Sequence, residues 1–175
     1  SDLNGHKVGD GTFFAGRESR FRDVLDGLSN TLAFAEVKAW NPYYRDVGIE
    51  GTVEMPTEPL EICSLGGSLK INTGHTEWVD GRVHQSGFTT TFPPNKKVLC
   101  TVDNLEYDVD FTNMREGKNS DALTYAAVTS RSYHVGGVNT ALMDGSVRFI
   151  SDFIDVQLWQ DISTRAGREH VEIPD

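Results

Sequence analysis

Long apolar runs are missing from this chain: no stretch approaches the ~20 consecutive apolar residues that a membrane-spanning helix needs. Cysteine is nearly missing, with Cys63 and Cys100 alone and no CxxC pair. Two thiols without histidine partners make a poor zinc site and no dithiol redox motif. In an exported protein they are a candidate disulfide, but sequence leaves bonded and free thiols equally open, since pairing needs Cα atoms within about 7 Å. Positive charge is also scarce, 16 basic residues against 26 acidic ones for a net charge of −10. That balance repels phosphate backbones unless basic residues cluster. The densest basic group, Arg17, Arg20 and Arg22, is diluted by Glu18 and Asp23. Nucleic acid is therefore not an expected partner. No G-x-S-x-G elbow, P-loop or dinucleotide-binding fingerprint occurs, and neither Gly66-Gly67 nor Gly136-Gly137 has the spacing that cradles phosphate. No basic amphipathic helix suggests binding to a membrane surface.

What remains is a chain of 175 residues, enough for one domain over 1–175 that buries roughly two-thirds of its unfolded surface. Its opening, Ser1-Asp2-Leu3-Asn4, reads as the interior of a longer protein, and residues 1–16 read as loop. Phe21, Val24, Leu25 and Leu28 repeat at helical spacing and predict a short helix over 17–28. Strands are predicted at Leu32–Val37, Gly87–Phe92, Val98–Val102 and Leu123–Val128, and an Asp80-Gly81 turn between β-prone runs. Between them, Pro42, Pro56, Pro59 and several glycines mark 41–68 as a loop-rich insertion. Asp155 is placed to cap a helix whose stripe is Val156, Leu158, Trp159 and Ile162, with Gly167 to stop it. The polar tail from Arg168 reads as frayed. Many short strands and little helix predict an α+β domain of mainly antiparallel sheet.

The most informative segment runs from Ser132 to Ile150. His134 is separated by nine residues from Asp144-Gly145, and Gly136-Gly137 kinks the chain between them. Val138–Met143 and Ser146–Ile150 read as a hairpin joined by a two-residue Asp144-Gly145 turn of type I′, with φ > 0 at both positions.

Several chemistries compete for these residues. Ser132, His134 and Asp144 suggest a hydrolase triad, but no nucleophile elbow or oxyanion hole accompanies them. His134 fits better as a lock on its own loop, bonding backbone groups freed by the Gly136-Gly137 kink or the Asp144 carboxylate. A metal role would recruit His75, His84 and Glu77. Trp78 and Asp80 read as the rim of a small-ligand pocket, the plain alternative being core for Trp78. Glu36, an unexpected acid ending an apolar strand, joins them as a candidate ligand contact; otherwise it is a salt-bridged edge carboxylate. Glu106, Asp108 and Asp110 share one face of a predicted strand, an oxygen-rich array of the kind calcium takes. The spacing is not that of an EF-hand, so solvated edge chemistry is the simpler expectation.

Several blocks together resemble a family of exported bacterial proteins, known especially from planctomycetes, that carry a prepilin-type, processing-associated H-x9-DG domain. They are Asp26-Gly27-Leu28-Ser29-Asn30-Thr31-Leu32 with Glu36, Trp78-Val79-Asp80-Gly81, Gly87-Phe88-Thr89-Thr90 with Pro94-Asn95, and Ser132–Asn139 running into Asp144–Ile150. Trp159 and Ser163–Gly167 extend the likeness, so the landmarks span 26–167. Val135 stands where the family usually has proline. The resemblance implies a pilin-like fold, an apolar anchor helix ahead of Ser1, and an exported, membrane-anchored protein at the periplasmic or outer face. Its implied partners are other pilin-like or secretion-system proteins. The implied motif residues are His134, Gly136, Gly137, Asn139, Asp144 and Gly145, in structural rather than catalytic roles. No cofactor is implied except calcium, which some secretion pseudopilins hold in a C-terminal loop, where Asp144, Asp152 and Asp155 are the acids here. The expected function is a non-enzymatic cell-envelope assembly domain. A family label shared with extracellular solute-binding proteins keeps a binding module for a small solute, glycan or calcium as the alternative, and a hydrolase stands third.

Overall fold

The computed structural model describes residues 9–14, 18–47, 54, 56–118, 123–169 and 173. The expected N-terminal loop over 1–16 and the frayed tail lie largely outside these residues.

Burial alternates along the central strand of the motif as a half-covered sheet requires. In β8 (Gly137–Leu142), Val138, Thr140 and Leu142 point inward, while Asn139 and Ala141 are only half-buried. Strand β8 is the centre of a three-stranded antiparallel sheet, flanked by β1 (Leu32–Ala35) and β9 (Val147–Ser151). Beneath it lies α3 (Val156–Asp161), started by Asp155, whose Oδ1 accepts the Leu158 N–H at 3.0 Å. Trp159 and Ile162 reach into a core with Leu32, Val138, Leu142 and Ile150.

A second sheet has the order β3 (Ser68–Gly74), β2 (Asn41–Arg45), β6 (Asp110–Thr112), β7 (Ala126–Ala127). Only the β2–β6 pairing in it is parallel. The hairpin β4 (Leu99–Val102) and β5 (Leu105–Asp108) closes this half, with α1 (Pro59–Leu65) against β4 and α2 (Val83–Ser86) beside β3. Its core gathers Tyr44, Ile62, Phe92, Val98, Val109 and Phe111. Cys63 of α1 and Cys100 of β4 are joined as a disulfide with Cα atoms 5.5 Å apart. The architecture is α+β and mainly antiparallel. Among the described residues no helix is long and apolar enough to cross a membrane.

Four local expectations are corrected. The helix over 17–28 shrinks to a 3-10 turn at Phe21–Asp23, and Phe21 and Leu25 lie exposed. The backbone shows why: Leu25 N–H donates to the Arg165 carbonyl at 2.6 Å, so the bond a helix would make there goes across the fold. The 41–68 stretch is not merely loop: it supplies β2, a central strand, and α1, started by Pro59 and stopped at Gly66 (φ 76°). Residues 87–92 form no strand and touch the sheet through a single Thr89–Thr129 bridge. The runs flanking Asp80-Gly81 are likewise not two strands: β3 ends at Gly74 and α2 begins at Val83.

Candidate functional site

The hairpin at the heart of the motif turns differently from the predicted I′ form. Gly145 N–H donates to the Leu142 carbonyl at 3.0 Å, and Leu142 N–H donates to Ser146 at 2.9 Å. Gly145 has φ 85°, whereas Asp144 is not left-handed. This is a tight turn followed by a glycine bulge. Asp144 steadies it by accepting the Ser146 hydroxyl at 2.7 Å and its N–H at 2.8 Å. Those bonds hold the Asp144 carboxyl below the usual carboxylate range.

His134 sits at the opposite end of β8, a strand length away from Asp144. The acid it meets is Glu36, whose Oε1 lies 3.2 Å from His134 Nε2. The same Oε1 accepts Asn139 Nδ2 at 3.2 Å, and Oε2 accepts the Asn139 N–H at 2.8 Å. Partial burial raises the Glu36 pKa, but the bonds from Asn139 and His134 and the His134 charge outweigh it, so the carboxyl ends below its ordinary value. The Glu36 carbonyl in turn accepts the Arg131 N–H at 2.9 Å and the Ser130 hydroxyl at 2.8 Å. One residue after β1 thus ties that strand to β8 and to the segment leading into the motif.

The loop itself is closed by Ser132 and Asn95. Ser132 Oγ donates to the Gly137 carbonyl at 2.7 Å and accepts the His134 N–H at 3.1 Å. Asn95, in a left-handed conformation (φ 56°), donates to the Gly137 carbonyl and to Asp152 Oδ1, and accepts the Ser132 N–H at 2.8 Å. Ser132, His134 and Asp144 are therefore not assembled as a triad. A Cβ at Gly137 would collide with the Ile150 carbonyl, so that position must be glycine. Gly136, at φ 87°, makes the bend before it.

Of the acids in 103–110, Asp103 and Glu106 are solvated as expected, but Asp108 and Asp110 are not. Asp110 is 2% exposed, its Oδ1 accepting Arg131 Nη1 and the Thr129 N–H, its Oδ2 accepting Asn41 Nδ2 at 2.8 Å. Arg131 Nη2 reaches Asp108 at 3.1 Å. Burial disfavours the Arg131 charge, but the two aspartates more than reverse that and raise its pKa. Glu106 stays on the surface. His75 Nδ1 faces the Gln85 carbonyl at 3.0 Å, and its Nε2 is 3.8 Å from Asp110, beyond hydrogen-bond range. His84 stacks on Tyr43 with centroids 4.8 Å apart, and burial lowers its pKa to about 4. Glu77 is exposed and does not join these histidines. Among the described residues no group of three His, Cys, Asp or Glu side chains is arranged to hold a metal ion. Asp152 and Asp155 are committed to Asn95 and the α3 cap.

The three candidate ligand contacts do not converge. Trp78 is 87% exposed on a turn and so is not core, and it does not line the cleft that Asp80 lines. Asp80 pairs with Arg82 at 2.8 Å and lines an open cleft of about 1040 Å³, together with Arg82, Glu116, Phe88 and Phe13. Glu36 belongs to the motif node. Arg131 and Asn95 went unrecognised as site residues by sequence, although Asn95 stood among the family landmarks.

A small α+β domain organised around a His134-to-Gly145 node belongs to a recognisable class. Residues 2–157 match the family described as "Protein of unknown function (DUF1559)". The chain belongs to that family, whose members carry the prepilin-type, processing-associated H-x9-DG domain. No curated protein and no solved structure matches the chain. Family and disulfide are both consistent with an exported protein.

Proposed function

We propose that this is a non-enzymatic, pilin-like assembly domain of the cell envelope, presented outside the cytoplasmic membrane. The observation that carries the reading is the outer face of the β1–β8–β9 sheet. Register places Phe34, Ala141 and Val147 in one row across it, with Phe149 a step away. Phe34, Val147 and Phe149 are 64%, 68% and 53% exposed, and Phe13 packs on Phe34 with centroids 5.6 Å apart. An apolar sheet face of this kind is suited to cover by an apolar helix, which the family resemblance supplies as an anchor ahead of Ser1. The Glu36–His134–Asn139 node borders that face and keeps its strands in register. Ser132, with its hydroxyl spent on Gly137, supports a structural rather than a nucleophilic role for the motif.

The test is Phe34→Asp with Val147→Asp in the full-length protein. Loss of membrane-associated high-mass complexes, with an unchanged melting temperature of the isolated domain, is the expected result. Complexes that persist undiminished would refute the assembly reading.

A second reading rests on the cleft beside Asp80, whose acid, guanidinium and aromatic lining is the chemistry of a small-solute or glycan site. A saturable rise in melting temperature with a sugar or amino acid, lost in Asp80→Ala, would favour it over the first.

A further inference from the structure

Two loops run side by side at the His134 end of the β8–β9 hairpin. The Asp152 N–H donates to the Gly136 carbonyl at 2.9 Å, one step beyond the Gly137–Ser151 pair. Val135 and Phe153 therefore occupy neighbouring positions at the tip, with Tyr133 two residues away. Val135 is 98% exposed, Phe153 92% and Tyr133 85%. Single bare apolar side chains are ordinary, but three on one tip point to something outside the domain.

The scarce positive charge of the chain gathers at the same place. Lys38 Nζ lies 4.6 Å over the Tyr133 ring. Asn95, which bonds Ser132, Gly137 and Asp152, is followed directly by Lys96 and Lys97, both exposed. Three of the six lysines are thus at this end of a protein of net charge −10. The nearby acids are already engaged. Glu36 holds Asn139 and His134, Asp152 holds Asn95, Asp155 caps α3, and Asp108 meets Arg131 and the Val98 N–H. Among the described residues none of the three lysines is in an ion pair. Arg148, the cation of β9, pairs opposite Thr140, toward the Asp144 end.

We propose that this tip docks on an anionic membrane surface. Val135, Phe153 and Tyr133 enter the interfacial zone, and Lys38, Lys96 and Lys97 meet lipid phosphates. Protein interfaces are depleted in lysine and seat their anchors in matched, sealed pockets. Separate protruding side chains beside lysines suit a fluid boundary instead, where tyrosine settles and lysine reaches the headgroups along its own apolar stem. The overall charge does not forbid this, because acids more than about 8 Å away are largely screened at physiological salt. Bonds from Asn95 and Ser132 hold the loops in place beforehand, so docking orders little that was loose. Apolar contact and charge act together, each too weak alone. The tip is a different surface from the Phe34–Val147 face, so this inference and the assembly reading can fail independently.

Flotation of the 175-residue chain with vesicles tests the inference. One set is phosphatidylcholine and phosphatidylglycerol in a two-to-one ratio, the other phosphatidylcholine alone. The expected result is saturable binding to the mixed vesicles, at least tenfold weaker on the neutral ones, and weakened as salt rises from about 0.05 M to about 0.5 M. Val135→Ser with Phe153→Ser lowers the partition coefficient at least tenfold. Lys96→Gln and Lys97→Gln each lower it roughly fivefold. Leu105→Ser, exposed beside Asp103 and Glu106 at the β4–β5 turn, leaves it unchanged. With Cys63 and Cys100 bonded, Val135→Cys offers a single thiol for an environment-sensitive dye. Its emission moves to the blue on mixed vesicles, while the same dye at Leu105→Cys stays put. No binding to either vesicle leaves the tip to a protein partner and overturns the proposal. Equal binding to both compositions overturns it too, as does binding that survives the paired serine variant or leaves the dye at 135 in water. Should the serine pair fail to fold, the lysine variants and the dye still decide.

Discussion

Glu36 and His134 are 98 residues apart in the chain and 3.2 Å apart in the fold. Their contact is the visible part of a node in which Glu36 contributes more than the histidine. Glu36 anchors Asn139 through two bonds and is the less exposed partner, at 35% against 55% for the side chains. Glu36→Ala is therefore expected to cost about 1–3 kcal/mol, and His134→Ala under about 1 kcal/mol. Urea denaturation of both variants checks the order; a reversed order would make the histidine the keystone.

The same node predicts acid sensitivity. Glu36 has a folded-state pKa below its ordinary 4.5, so its contribution is complete above that value. It is lost as pH falls through the lower, folded-state value. A melting-temperature profile should steepen below pH about 4.5, and Glu36→Gln should flatten that limb.

His84 acts in a neighbouring window. Its folded pKa of about 4 lies below the ordinary 6.5, so the unfolded chain binds the extra proton between these values. Stability then rises with pH across the window and levels off above it, by on the order of 3 kcal/mol in full. His84→Phe keeps a ring against Tyr43 and should remove this dependence, as measured by urea midpoints at pH 4.5 and pH 7.

Asp110 and Arg131 form a buried pair whose halves depend on each other. Arg131→Met alone is expected to destabilise by about 3–5 kcal/mol, because it leaves Asp110 charged and under-satisfied. Asp110→Asn in the same chain should recover a good part of that loss. A double-mutant cycle measures the coupling, and simple additivity would contradict it.

Reduction of Cys63–Cys100 frees a loop closed across 37 positions. The expected loss is roughly 4 kcal/mol in the chain-entropy picture. Thermal melts with and without reductant, with a thiol count by mass, would detect it.

Local signals reported local structure well. The hairpin at 138–150, the strand at Leu32 and the Asp155 cap of α3 follow from alternation and capping chemistry and are present. Contacts at long range were not legible in the same way. Nothing near Asp110 announces a guanidinium arriving from position 131, so a buried ion pair passed for a solvated acidic run. Trp78 was misread for a similar reason: large aromatics are usually covered, and only the tertiary fold places this one on a turn. Phe21, Val24 and Leu25 repeat at helical spacing, but the Leu25 N–H is claimed by the Arg165 carbonyl from across the fold, which overrides that pattern. The family likeness carried the motif residues, and the partner Glu36 was marked only as an odd acid.

The pairing of β1 with β8 has a consequence for biogenesis. Leu32–Ala35 emerges about a hundred residues ahead of Gly137–Leu142, the strand that completes it. Until that later strand is made, Leu32 and Phe34 belong to a segment whose sheet partner does not yet exist. A chain interrupted before Gly137 lacks the centre of this sheet, and β1 has no strand to pair with.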